Sequence, residues 1–215
     1  MIQIRFSRPG DEAALMALWK TVFGDEDQFI HAFFREIYVP GTAAVAEADG
    51  QIVSAAYVIP FGVARYIYAV GTHPSRRGRG LGKAVTLAAA DGLPAYLCPA
   101  DEGLRSWYAR EMGAKPVSFR RKTELPVGLT PISSAEYAAR REALLESIPH
   151  AEYSPGILSL FFLYGGFFAA DNGSIYAVED GIVHEALPCS SGPGDDPYIY
   201  GLNGAEPIHW GITLI

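Results

Sequence analysis

Apolar and polar residues first alternate at Ile2-Gln3-Ile4-Arg5-Phe6, the pattern of a half-buried strand. A helical pattern comes next. Gly10-Asp11-Glu12 puts acidic residues at its start, Ala14, Leu15, Leu18, Trp19 and Val22 recur at helical spacing, and Gly24 ends it. Asp25 can cap the next helix, whose apolar face is Phe29, Ile30, Phe33, Phe34 and Ile37, and Pro40-Gly41 breaks it. Thr42–Ala48 and Gln51–Ile59 flank Asp49-Gly50, a hairpin signal. Beyond them lie a strand over Tyr66–Thr72, a helix over Gly80–Asp91, a short strand over Ala95–Cys98 and a helix over Leu104–Met112 closed by Gly113. Val117–Phe119 and Lys122–Leu125 read as a closing pair of strands. The hairpins imply antiparallel pairing, and the strand–helix–strand crossover from Tyr66 to Cys98 makes those two strands parallel. The predicted fold class is α+β, with a mixed, mostly antiparallel sheet flanked by helices over residues 1–125.

Leu125-Pro126 to Thr130-Pro131 reads as a linker to a small C-terminal α+β lobe, residues 126–215. Ser133-Ser134-Ala135-Glu136 is a helix-start pattern that continues over Tyr137–Ser147, and Ile157–Tyr164 is a second short helix. Phe167–Ala170, Ser174–Glu179 and Ile182–Leu187, joined by Asp171-Asn172-Gly173 and Asp180-Gly181, form a three-stranded meander. Ser190–Pro197 is a loop, and Ile208–Leu214 a last strand.

The 49% hydrophobic and 19% charged content supplies a core and argues against disorder. A net charge of −7 gives the bulk surface no attraction for nucleic acid or anionic membrane. Met1 to Ala14 has no apolar segment of signal-peptide length, and no run approaches the ~18 apolar residues of a membrane span. Cys98 and Cys189 lie far apart with no C-x-x-C, so neither a disulfide framework nor a metal site is expected. A reducing, cytoplasmic setting is the expectation.

Against this acidic background, Arg76, Arg77, Arg79 and Lys83 place four positive charges within eight residues, between the Tyr66–Thr72 strand and the next helix. Strand, glycine-rich basic turn and helix N-terminus make a phosphate-binding arrangement. Glycines allow close backbone approach, and the first N–H groups and dipole of a helix favour an anion. Two phosphate motifs fail on spacing. Gly78 and Gly82 are three residues apart rather than the four of a P-loop, and Lys83 is followed by Ala84 rather than Ser or Thr. The dinucleotide fingerprint needs G-x-G-x-x-G directly after a strand, whereas Gly78, Gly80 and Gly82 read G-x-G-x-G.

Arg77-Gly78-Arg79-Gly80-Leu81-Gly82 resembles the R-x-x-G-x-G/A signature of the GNAT superfamily of CoA-dependent N-acyltransferases, and the run-up Val70–Pro74–Arg77 matches too. The element order extends the resemblance over about Met1–Leu125. The resemblance implies acetyl-CoA as co-substrate and no metal. The backbones of Val70 and Thr72 would pair with the pantetheine amides. Amides of Arg77, Gly78, Arg79, Gly80, Leu81, Gly82 and Lys83 would hold the pyrophosphate. The Val70 N–H would be the oxyanion donor. Trp107-Tyr108-Ala109-Arg110-Glu111-Met112-Gly113-Ala114 resembles the family's stretch carrying its general acid, which assigns that role to Tyr108. Thr72 and Ala114 depart from the family's usual apolar residue and Phe, and the Asn often found near here is absent. Asp101 and Glu102 are base candidates, or equally solvated loop carboxylates.

Other clusters point to no chemistry. His184 and Glu185 are adjacent on a strand, so their side chains are expected on opposite faces. The implied activity is transfer of acetyl to a primary amine by direct attack in a ternary complex. A CoA-binding regulatory module without turnover stands beside it. The C-terminal lobe is expected to wall the acceptor side or to serve as a partner or homodimer surface.

Overall fold

The computed structural model describes residues 1–61, 64–120, 123–188, 194 and 196–213. The chain divides into two compact units. The first is Met1–Lys115 with Gly201–Ala205, and the second is Pro116–Tyr200 with Glu206–Ile215. The break falls before the expected Leu125, because the strand after Gly113 groups with the second unit.

In the first unit the order is β1 (Ile2–Phe6), α1 (Glu12–Phe23), α2 (Asp27–Glu36), β2 (Ala43–Ala48), β3 (Gln51–Phe61), β4 (Ala64–Thr72), α3 (Leu81–Ala90), β5 (Ala95–Leu97) and α4 (Glu102–Met112). The strands lie in the order β1-β2-β3-β4-β5. The first four are antiparallel, and β4 and β5 are parallel at Arg65/Ala95 and Tyr66/Tyr96. The mixed, mostly antiparallel α+β fold is therefore as expected. The hairpin turn is too: Asp49 and Gly50 both have positive φ, 53° and 78°, as a two-residue turn matched to strand twist requires.

Two local expectations fail. The apolar face of β1 is not its buried face: Ile2, Ile4 and Phe6 are 39–47% exposed, and Arg5 is the least exposed residue of this edge strand. Asp25 does not cap α2. Its carboxylate accepts the Trp19 indole N–H at 2.7 Å, and Glu26 takes the cap position.

Residues Val53 to Tyr57 of β3 are buried at every position, so the sheet is covered on both faces. Trp19 of α1 and Phe33 of α2 cluster on Tyr57 and Tyr68 from one side, with ring centroids 4.7–5.8 Å apart. The stripe Leu81, Val85 and Ala89 of α3 packs across β1 to β4 from the other. Burying such side chains stabilises by roughly 25 cal/mol per Å² of apolar surface.

The second unit contains β7 (Thr130–Ile132), α5 (Ser134–Leu145), α6 (Pro155–Phe161), β8 (Gly165–Ala169), β9 (Ile175–Glu179) and β10 (Ile182–Leu187), with all of β6 (Lys115–Arg120) after Lys115 and all of β11 (Asp196–Leu202) before Gly201. The α5 start is as expected: the Ser133 hydroxyl accepts the Glu136 N–H at 3.1 Å. The meander has four strands, in the order β10-β9-β8-β7. Its fourth, β7, is the expected linker, and Pro131 is tolerated there because β7 is an edge. Thr123–Leu125 forms no strand, and Lys122 lies outside the described residues. The neighbour of β6 is β11, in a region expected to be loop up to Pro197. Most of Ser190–Pro197, together with Cys189 and Leu214, lies outside the described residues. Ile208–Thr213 is not a strand beyond one bridge, His150 to His209.

His184 and Glu185 correct another expectation. A β-bulge between Val183 and Glu185 breaks the alternation of β10, and both side chains are buried. Glu185 accepts from the Tyr137 hydroxyl, from Arg141 Nε at 3.0 Å and from His209 Nε2 at 2.6 Å. Arg141 also donates to the Ala151 carbonyl at 2.8 Å and lies over the Tyr153 ring at 4.0 Å.

Candidate active site

The site is built on β4 and its neighbours. Ala55 pairs with Gly71 but Tyr57 with Tyr68, so Ala69 and Val70 together face Ala56 in a bulge. Ala69 takes a left-handed φ of 47°, a strain of about 1–2 kcal/mol for an L-residue. The bulge takes Val70 out of the regular ladder. It also inverts the parity of the residues downstream, since one extra residue moves each later side chain to the other face. Gly71 thus faces α1, and Thr72 faces the start of α3. Ser54, fully buried on β3, pins the segment: its hydroxyl donates to the Gly71 carbonyl at 2.9 Å and lies 2.8 Å from the Thr72 hydroxyl. Meanwhile β5 pairs with β4 only at its beginning and ends at Leu97, leaving a splay beside Ile67–Thr72.

A single 3-10 turn, Pro74–Arg76, leads from β4 into the glycine loop. Gly78 and Gly80 have φ of 75° and 74°, values that only glycine adopts without strain. Gly80 caps α3, and the first helical bond runs from Ala84 N to Gly80 O. The N–H groups of Leu81, Gly82 and Lys83 precede that bond and carry the positive end of the helix dipole. Gly82 faces inward, where a Cβ would lie 3.6 Å from Thr72 Oγ1 and 3.9 Å from the Trp107 ring. Arg77 folds back to donate to the Thr72 carbonyl at 3.2 Å, Arg79 is exposed, and Lys83 reaches Glu111 at 3.4 Å.

On α4, Tyr108 is 6% exposed. Burial pushes its hydroxyl up to about 12, against a smaller downward pull from a hydrogen bond with Thr86. Thr86 in turn donates to the Gly82 carbonyl at 2.8 Å. A chain of polar groups therefore links Tyr108 to the first turn of α3. Asp101 caps α4 by accepting the Leu104 N–H at 2.8 Å, and Glu102 is exposed, 3.6 Å from Arg105. Both carboxylates have structural work at the helix start, and neither is desolvated as a poised base would be.

A groove of about 560 Å³ lies elsewhere in this unit, walled by α1, the β2–β3 turn and His73–Arg76. Its charges are largely satisfied internally, with Arg5 bridging Asp11 at 2.6 Å and Glu47 at 2.8 Å. Ala69, Ser54 and Thr86 carry no signal in the sequence, because their roles arise from strand register and helix packing.

These features define a class: an α+β domain with a splayed, bulged strand leading through a glycine loop into a helix start with open N–H groups. Residues 3–92 match the family model described as acetyltransferase (GNAT) domain. A search of curated proteins by sequence finds no match. Among solved structures, a GCN5-related N-acetyltransferase from Anabaena variabilis is similar in fold, with TM-score 0.61 and 15% identity over 88% of this chain and 59% of that one. A GCN5-related N-acetyltransferase from Kribbella flavida gives 0.57 and 15%, over 88% and 58%. A Pyrococcus horikoshii protein gives 0.60 and 12%, over 88% and 72%. The chain thus spans less than two thirds of the first two. Among the described residues no group of three or more His, Cys, Asp or Glu could hold a metal, and no helix is long and apolar enough to cross a membrane.

Proposed function

We propose that the first unit binds acetyl-CoA and transfers its acetyl group to a primary amine by direct attack in a ternary complex. The observation that carries this reading is the continuity from the β4 splay through Gly78 and Gly80 to the open amides of Leu81, Gly82 and Lys83. The pantetheine arm lies beside β4 as an added strand, using backbone groups of Val70 and Thr72. Amides from Arg77 to Lys83 hold the pyrophosphate, and charge-assisted bonds of this kind are worth about 1.5–3 kcal/mol each. The Val70 N–H, displaced by the bulge, stabilises the oxyanion formed when the amine adds to the thioester carbonyl. Tyr108 gives its proton to the departing thiolate, and the proton shed by the attacking amine restores the hydroxyl. Its burial keeps it protonated at neutral pH and makes it a weaker acid than an exposed tyrosine.

One observation favours a second reading, a CoA-binding module without turnover: Asp101 and Glu102 are occupied at the α4 start and Tyr108 is tied to Thr86. Both readings require CoA binding, and only the first requires amine-dependent thiol release. Calorimetry with acetyl-CoA tests the shared part, and a thiol-release assay across a panel of primary amines separates the two. The match of residues 3–92 to the acetyltransferase (GNAT) domain model supports acetyl transfer as the class, and the acceptor is left to that panel.

A further inference from the structure

Phe23 is the last residue of α1. Its side chain is 42% exposed, yet its ring is held in place. Trp19 meets it edge-on at 5.7 Å, and the Trp19 indole is itself fixed by its bond to Asp25. Gly24, in the left-handed region, ends the helix directly behind it. The ring lies where β4 has no side chain. A Cβ on Gly71 would come within 3.1 Å of Phe23 Cε2 and 3.2 Å of Phe23 Cζ. Gly71 turns to this face only because of the Ala69–Val70 bulge. An aromatic ring therefore rests beside the residue that follows Val70. The opposite face of β4 is covered by α3, and Phe23 borders Gly71 on the α1 face.

We infer that Phe23 sets the size of the acyl group that the cleft accepts. Its ring closes the α1 side beyond the thioester carbonyl. A two-carbon acyl group fits in front of it, and a longer chain meets the ring. This rests on the acyl-CoA reading above. Phe23 carries no group that binds CoA phosphates, so its removal changes selectivity among thioesters and not affinity for the CoA body.

The test is calorimetric titration of CoA, acetyl-CoA and butyryl-CoA into the wild-type protein, Phe23→Ala and Phe23→Leu. No acceptor amine is needed. The wild type should bind CoA and acetyl-CoA with similar affinity and butyryl-CoA at least about 10-fold more weakly, the discrimination expected when extra methylenes meet a wall. Phe23→Ala should bring butyryl-CoA to the acetyl-CoA level or tighter and leave CoA itself within about 2-fold, with Phe23→Leu between them. The ring is half exposed, so both variants should melt close to the wild type. If CoA and acetyl-CoA bind but the butyryl-to-acetyl ratio is the same in all three proteins, Phe23 does not set acyl size. An unselective wild type refutes it equally. If no CoA species binds the wild type, the acyl-CoA reading fails first, and this inference fails with it.

Discussion

Replacing Glu185 with Gln keeps shape and removes one buried charge. The Arg141 side chain is 1% exposed, and its Nε–carboxylate bond is the ion pair that the substitution breaks. Breaking a buried pair from one side typically costs about 3–5 kcal/mol, because the other charge is left desolvated. Two features place this case near the lower end. Arg141 retains the Ala151 carbonyl and Glu142 at 3.3 Å, and the Gln carbonyl can still accept from Tyr137 or His209. A loss of about 3 kcal/mol should lower Tm by about 6–12 °C in a cooperative chain of this size. The pH dependence has a definite sign. Burial alone would raise the Glu185 carboxyl, but Arg141 and His209 outweigh it and hold it below its ordinary value. Its contribution is therefore complete above the unfolded value of about 4.3 and is lost as pH falls through the lower folded one. His184 acts in a different window. Burial, with Arg120 nearby, lowers it from 6.5 to about 4, so its contribution is lost as pH falls from 6.5 through 4. Thermal melts followed by circular dichroism from pH 8 to 3 should show both losses in the wild type. Glu185→Gln should melt lower at pH 7, keep the His184 slope and be flatter below pH 4. A variant melting within about 1 °C of wild type at pH 7, far short of the shift expected for 3 kcal/mol, would refute the reasoning.

Gly80→Glu forces a side chain into a φ of 74° and puts a carboxylate at the helix start, so acetyl-CoA affinity should fall by at least about 100-fold, read by calorimetry; unchanged affinity would remove the loop from the site. Tyr108→Phe should leave acetyl-CoA affinity nearly constant and lower turnover on a verified amine by about 10²–10⁴-fold if the hydroxyl donates the proton. If affinity falls and turnover does not, the hydroxyl instead braces the α3 start through Thr86. Ending the chain at Leu125 should expose apolar surface and cause aggregation on size-exclusion chromatography, since it removes β11 beside β6; a soluble and fully active fragment would make the C-terminal lobe an independent appendage.

The features that the sequence determined by itself are local. The Asp49-Gly50 turn, the Gly24 and Gly113 stops, the Ser133 cap and the Gly78–Gly82 loop all depend on backbone conformations or hydrogen bonds within a few residues. Glycine or a short polar side chain announces each of them. Tertiary structure decided the features that depend on register and on distant partners. Ala69 gives no hint of its left-handed turn, because alanine normally avoids it and only the pairing with β3 holds it there. That one bulge frees Val70 and turns Gly71 under Phe23. Thr130-Pro131 and Asp196-Pro197 read as the end of a linker and of a loop because each Pro breaks the local pattern, yet strand partners far along the chain satisfy the backbones of β7 and β11. Glu185 on an alternating strand belonged on the face opposite His184, until a bulge buried both. Arg141, Tyr137 and His209, remote in sequence, supply the hydrogen bonds without which a buried carboxylate could not stay charged.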